Sequence, residues 1–313
     1  MTLSVTCIGL GRMGSGIAAN IQKAGFPLVV YNRSAEKVKA LTSLGARAAG
    51  SPREAVEAAD IVVTNLMDDA SVLETVLGEN GIFAGMLPGA LHIGTTTISP
   101  RLSARLGAMH AEHGSHYIAG PVLGRPDAAA AGRLFTFVAG KPEIIDRARP
   151  VIDAYAQRVI PVGEDPALAA SMKLVGNFMV ASLLELIGEA YVFAESRGID
   201  TAVLTGMFKQ FMPAASEYID RISSRDFERA GFTLEGGAKD VTLILEAAAE
   251  VNAPLSYASV VRDKCLAAKA LGMGQLDWSC LTEVSRINAG QGAASVKSGH
   301  SQKKVRIEPP PGA

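Results

Sequence analysis

The chain runs to 313 residues, which at roughly 100–200 residues per domain accommodates about two domains. Lys plus Arg total 30 against 31 Asp plus Glu, a net charge of -1, so the basic excess of a polyanion binder is missing and no nucleic-acid partner is expected. With 48% apolar and 19% charged residues the composition excludes a disordered chain, and 5% aromatics leave few stacking surfaces for single strands.

The opening Met1-Thr2-Leu3-Ser4-Val5 has neither a basic leader nor a small-residue cleavage site, so no signal peptide is expected. Short apolar runs at residues 3–10, 27–31, 61–65 and 90–94 read as strands, three of them rich in Val and Ile. Segments with helical periodicity alternate with them at 13–24, 35–44, 52–58 and 69–77. This βαβα order predicts an α/β domain whose mainly parallel sheet is covered on both faces. Weaker strands are expected at 116–119, 134–139 and 158–161, with a helix over 143–156 between the last two. Past Glu164-Asp165-Pro166 the pattern turns helical: a long segment over 167–197, closed by Gly198, then several helices to about 283. The predicted division is a nucleotide-binding domain over 1–165, an all-α domain over 166–294, and a disordered tail over 295–313. Residues 174–194 approach membrane-span length, but Glu185 and Glu189 would be costly in lipid, so a core helix is expected and no membrane partner.

Cys7, Cys265 and Cys280 are far apart and lack CxxC spacing, which argues against a disulfide framework or a zinc site and for a reducing cytoplasm. Cys7 and Trp278 are expected in the core. Tyr218 and Phe211 are candidates for a cleft wall. His110, His113 and His116 lack metal-ligand spacing and read as a surface helix, so no metal is expected.

The strongest motif is Gly9-Leu10-Gly11-Arg12-Met13-Gly14, which follows a strand and opens a helix. Gly9 permits the tight turn, Gly11 lets the backbone approach a pyrophosphate, and Gly14 lets helix and strand pack closely. The free N–H groups of the helix start complete a dinucleotide cradle. At the end of the second strand stands Asn32-Arg33-Ser34 rather than an acid. Asn32 removes the carboxylate that would repel a 2′-phosphate, Arg33 supplies a cation to pair with one, and Lys37 follows a turn later. NADP is therefore expected, with NAD the lesser reading.

Together with Ala18-Ala19-Asn20, these motifs resemble the β-hydroxyacid dehydrogenases, relatives of the 6-phosphogluconate dehydrogenases and imine reductases. The resemblance covers roughly residues 3–290 and implies a Rossmann domain, a long interdomain helix and a helical second domain that dimerises. It places Leu66-Met67 over the cofactor, with Met67 where the family usually has proline. It points to Thr97 in Thr96-Thr97-Ile98-Ser99-Pro100 at the nicotinamide, and to Lys239 of Lys239-Asp240 as closing on the cofactor.

Lys173 and Asn177 stand four residues apart on one helical face among small and apolar neighbours. Desolvation would lower the lysine pKa and suit it to general acid or base work; a snorkelling lysine fits the spacing as well. The resemblance implies the former, with Asn177 positioning the substrate. The family's substrate loop reads Asp-Ala-Pro-Val-Ser-Gly-Gly, its serine and glycines taking the substrate carboxylate. Here Ala119-Gly120-Pro121-Val122-Leu123-Gly124-Arg125 occupies that place. Leu123 cannot donate a hydrogen bond, and Arg125 could either bind a substrate anion or pair with Asp127. The expected activity is NADPH-dependent reduction of a small aldehyde or keto acid. The alternatives are an imine reductase on the same scaffold and a non-catalytic NADP-binding sensor or scaffold.

Overall fold

A computed structural model describes residues 3–292. The predicted tail over 295–313 lies outside the described residues. The N-terminal half alternates β1 (Val5–Ile8), α1 (Gly14–Lys23), β2 (Leu28–Tyr31), α2 (Glu36–Thr42), β3 (Arg47–Ala48), α3 (Pro52–Val56), β4 (Ile61–Thr64), α4 (Asp69–Leu77), β5 (Leu91–Gly94), α5 (Pro100–His113) and β6 (His116–Ala119). Then follow β7 (Val122–Leu123), α6 (Pro126–Ala130), β8 (Leu134–Ala139), α7 (Pro142–Tyr155) and β9 (Ala156–Gly163). The sheet order is β3-β2-β1-β4-β5-β6-β8-β7, with β9 against β8. Strands β1 to β6 pair in parallel, while β8 runs antiparallel to β6 and β7. This is the Rossmann arrangement. Val5, Cys7, Ile61 and Val63 face one apolar layer, and Ile8 and Val62 face the other, so the sheet is covered on both sides.

The two-residue strands β3 and β7 and the five-residue α6 were not expected, because elements that short show no hydrophobic period. The histidines correct the surface-helix reading. His110 is fully buried at the end of α5, and His92 of β5 is buried beside it. His92 Nδ1 lies 2.9 Å from His110 Nε2, His92 Nε2 2.8 Å from Thr64 Oγ1, and His110 Nδ1 2.8 Å from Ser115 Oγ. A neutral imidazole offers one donor and one acceptor, so the chain of contacts satisfies both rings. Tyr117 stacks on His110 at 5.4 Å. Helical periodicity does not distinguish a buried histidine with such partners from an exposed one.

The remaining elements are α8 (Pro166–Ser196), α9 (Thr201–Phe211), α10 (Ser216–Ser224), α11 (Leu234–Glu250), α12 (Ser256–Ala270) and α13 (Thr282–Asn288). The 31-residue α8 starts at Asp165, whose carboxylate accepts from Ala167 N–H at 2.9 Å, and ends before Gly198, which takes φ +74°. It is long and apolar enough to cross a membrane by length and composition. Here it packs on α5, β6 and β8 on one side and on α11 and α13 on the other. Glu185, fully buried within it, pairs with Lys264 of α12 at 2.9 Å and accepts from Ser285 Oγ. A separate apolar cluster around Leu184, Ile187, Tyr191, Val241, Trp278 and Leu281 forms the helical core.

Candidate active site

The parallel register brings the cofactor-side residues to one level. Ile8 lies opposite Tyr31 and Thr64, and Thr64 opposite Gly94, so β1, β2, β4 and β5 end together and release Gly9, Asn32, Asn65 and Thr95 along one edge. The strand order reverses between β1 and β4, which opens the crevice where such sheets take ligands. Three glycines there have distinct duties. Gly9 takes φ +92°, and a Cβ on it would stand 2.1 Å from Asn65 O. A Cβ on Gly14 would stand 2.0 Å from Gly9 O. Both positions are closed to any side chain. At Gly11 a Cβ would meet nothing within 4 Å, so that backbone faces open space, as a pyrophosphate cradle requires. Leu10 is buried, Met13 precedes α1 without a side-chain cap, and Arg12 is exposed and donates from Nη1 to Ala230 O of the helical half.

Asn32 is held in place: its Oδ1 accepts from Leu10 N–H at 2.9 Å and its Nδ2 donates to Ser34 O at 3.0 Å. Arg33, Ser34 and Lys37 are exposed beside it, and neither cation makes an ion pair among the described residues. Across the crevice, Leu66 N–H donates to Thr96 Oγ1 at 2.8 Å, while the Met67 side chain is 71% exposed. Thr97 meets the helical half through its backbone: its carbonyl accepts from Lys239 Nζ at 2.7 Å. These groups fit a dinucleotide with a free cationic corner at its ribose end.

Lys173 and Asn177 lie on the same face of α8, 7% and 6% exposed. Lys173 Nζ donates to Asn177 Oδ1 at 2.8 Å, and Asn177 Nδ2 donates to Asp240 Oδ2 of α11. Asp240 is itself buried, and its other oxygen stands 2.9 Å from Lys239 Nζ. Burial lowers the Lys173 pKa to about 8; the Asp240 charge raises it and the Lys239 charge lowers it further. The chain Lys173–Asn177–Asp240–Lys239 therefore presents a buried amine with a proton it can give or take near neutral pH. Asp240 is the member that spacing did not single out, since it comes from another helix and no local pattern ties it to Lys173.

The loop after β6 sits across this face. Pro121 and Val122 are buried, and Leu123 packs on α8. A Cβ at Gly176 would stand 3.3 Å from Leu123 Cδ1. Gly124 takes φ +142° and leads to Arg125. Arg125 does not pair with Asp127. It crosses to the helical half, where Nη2 lies 2.6 Å from Glu217 and Nη1 lies 3.9 Å from buried Asp277. Its guanidinium covers the Tyr218 ring at 5.2 Å, and the Gly231 backbone fits against it so closely that a Cβ would stand 2.3 Å from Nη2. Tyr218 thus packs between Arg125 and Trp278, whereas Phe211 is 74% exposed at the end of α9. Cys7 and Trp278 are buried as expected. Among the described residues no cluster of three His, Cys, Asp or Glu could hold a metal ion.

Comparison with known proteins fits this geometry. The NAD-binding domain of 6-phosphogluconate dehydrogenase matches residues 4–163, and the NAD-binding domain of NADP-dependent 3-hydroxyisobutyrate dehydrogenase matches 168–285. This chain belongs to the β-hydroxyacid dehydrogenase family. It is an NAD(P)-dependent oxidoreductase. It is 38% identical to the oxidoreductase YfjR of Bacillus subtilis over 89% of this chain and 98% of that one. It is 31% identical to the 3-sulfolactaldehyde reductase of Escherichia coli over 93% and 98%. A 3-hydroxyisobutyrate dehydrogenase of Mycobacterium tuberculosis, solved with L-serine, superposes with a TM-score of 0.81 at 26% identity, covering 91% of this chain and 100% of that one.

Proposed function

We propose that this chain transfers hydride between NADPH and a small aldehyde or keto acid, with Lys173 as the general acid in reduction and base in oxidation. The buried Lys173–Asn177–Asp240 chain carries this reading. The loop Gly9–Gly14 would hold the pyrophosphate, and Arg33, Ser34 and Lys37 the 2′-phosphate, so NADPH is expected to be used in preference to NADH. Leu66, Met67, Thr97 and Lys239 would close over the nicotinamide end. When bound, the cofactor supplies the hydride. Lys173 Nζ gives its proton to the substrate oxygen. Asn177 Oδ1 takes one ammonium hydrogen and aims the remaining ones, and Asp240 fixes the amide of Asn177. Residues 121–125 close the cleft over the substrate. A catalytic amine at this place favours a carbonyl over an imine, because the developing alkoxide must be protonated.

The helical half, from residue 166, is proposed to supply the subunit contact. Val175, Met179, Leu186 and Phe193 form one exposed apolar stripe along α8, and Val203, Met207 and Phe211 another along α9. Such faces suit a second copy of the chain.

The deciding experiment is Lys173→Ala, assayed by NADPH consumption against carbonyl and cyclic imine panels. Turnover is expected to fall by roughly 10²–10⁴-fold with NADPH binding retained. Undiminished turnover in the variant would remove the lysine from the mechanism. NADPH binding by the wild type without turnover on either panel would favour a sensor.

A further inference from the structure

One short piece of the helical half touches two loops of the sheet half. Residues 228–231 form a loop whose two ends are pinned to the segment at 277–278: Asp277 N–H donates to Phe227 O at 2.8 Å and Trp278 N–H to Phe232 O at 2.9 Å. Within that loop, Ala230 O accepts from Arg12 of the glycine loop, and Gly231 N–H donates to Asp277 Oδ2 at 3.0 Å. The Gly231 backbone also lies against Arg125, at the end of the loop after β6, where a Cβ would stand 2.3 Å from Nη2 and 2.5 Å from Cζ. Two adjacent residues, Ala230 and Gly231, therefore join Arg12 to Arg125.

The two arginines are held differently. Arg12 is exposed and gives one N–H to Ala230 O, and its guanidinium has further donors for an anion seated on the glycine loop. Arg125 Nε and Nη1 are buried and donate no hydrogen bond among the described residues. Its Nη2 pairs with Glu217 at 2.6 Å, a carboxylate that Arg221 shares at 3.2 Å, and the guanidinium covers the Tyr218 ring. Packing thus sets where the Arg125 head lies, and the Gly231 backbone is one wall of that packing. A diphosphate on the glycine loop would take Arg12 in charge-assisted hydrogen bonds and order its side chain. An arginine already ordered by one partner loses less freedom in holding the second, so the same event would tighten its hold on Ala230 O.

We infer that Arg12 is a positioning residue: it relays occupancy of the glycine loop through Ala230 and Gly231 to Arg125, so that cofactor binding sets the loop over 121–125. The inference rests on the reading that the glycine loop holds the cofactor pyrophosphate. The test is amide hydrogen exchange on the full chain, free and saturated with NADP⁺, with saturation fixed by calorimetry. It is run on the wild type, Arg12→Ala and Gly231→Ala. In the wild type NADP⁺ is expected to slow exchange over 226–233 and over 122–125 by roughly tenfold, about the worth of one hydrogen bond to a charged group. Arg12→Ala should bind NADP⁺ more weakly and, once saturated, show the slowing in neither segment. Gly231→Ala should keep the NADP⁺ affinity and the slowing at 226–233 but lose it at 122–125, because its methyl displaces the Arg125 head. An arginine of merely structural importance would alter the free and bound states alike and leave the difference between them as in the wild type. Equal slowing in Arg12→Ala and the wild type, or no slowing at 122–125 in the bound wild type, would overturn the relay while leaving the cofactor reading intact. If calorimetry detects neither NADP⁺ nor NAD⁺, the cofactor reading fails and the relay falls with it.

Discussion

At the scale of single residues, the role proposed for Lys173 implies a pH dependence. Its pKa is lowered to about 8 by burial, so the amine carries its proton below that value and has lost it above. Reduction needs the proton: kcat/KM in that direction is expected to decline about tenfold per pH unit above the midpoint, and oxidation to rise through the same midpoint. Asp240 raises the lysine pKa. Asp240→Asn should therefore move the midpoint lower, a shift visible in the pH profile of the variant. An unmoved midpoint would show that the carboxylate does not act on Lys173. The pair itself was legible in the sequence, because positions 173 and 177 share a helical face among apolar neighbours. The carboxylate beyond it was not, because α8 and α11 are brought together only by tertiary packing. Arg125 shows the same limit in sharper form. Its sequence neighbour Asp127 was a partner by proximity, yet the acids that take it stand on α10 and at residue 277.

At the scale of elements, alternating strand and helix signals located β1, β2, β4 and β5, since buried parallel strands read as continuous apolar runs. The sheet nevertheless hides a polar seam that no run of residues announces. His92 on β5 and His110 on α5 are both held neutral by burial, to about 3 and about 2 from an ordinary 6.5. The sign follows from linkage. The unfolded chain takes up these two protons near pH 6.5 and the folded chain does not, so the histidines favour folding above that value and oppose it as the pH falls. Two such groups give a slope approaching about 2.7 kcal/mol per pH unit well below 6.5. Urea midpoints measured from pH 7 to 5 should fall accordingly, and His110→Gln should have about half the slope. A wild-type midpoint constant over that range would show that the seam opens to water.

At the scale of the whole molecule, the exposed stripe of Val175, Met179, Leu186 and Phe193 predicts self-association. Sizing with light scattering should give at least twice the 32.6 kDa of one chain. Phe193→Glu combined with Met179→Glu should give a folded monomer. A wild-type monomer at micromolar concentration would refute the contact.

The placement of α8 has a mechanical consequence. One unbroken helix is anchored in the sheet half by α5 and β8 and in the helical half by α11 and α13, and Lys173 lies within its first half. The two halves thus share a beam, and Lys173 is carried on it. Three cations also cross between the halves: Arg12 to Ala230, Arg125 to Glu217 and Lys239 to Thr97. Any rocking of one half on the other would have to bend this helix or break those contacts.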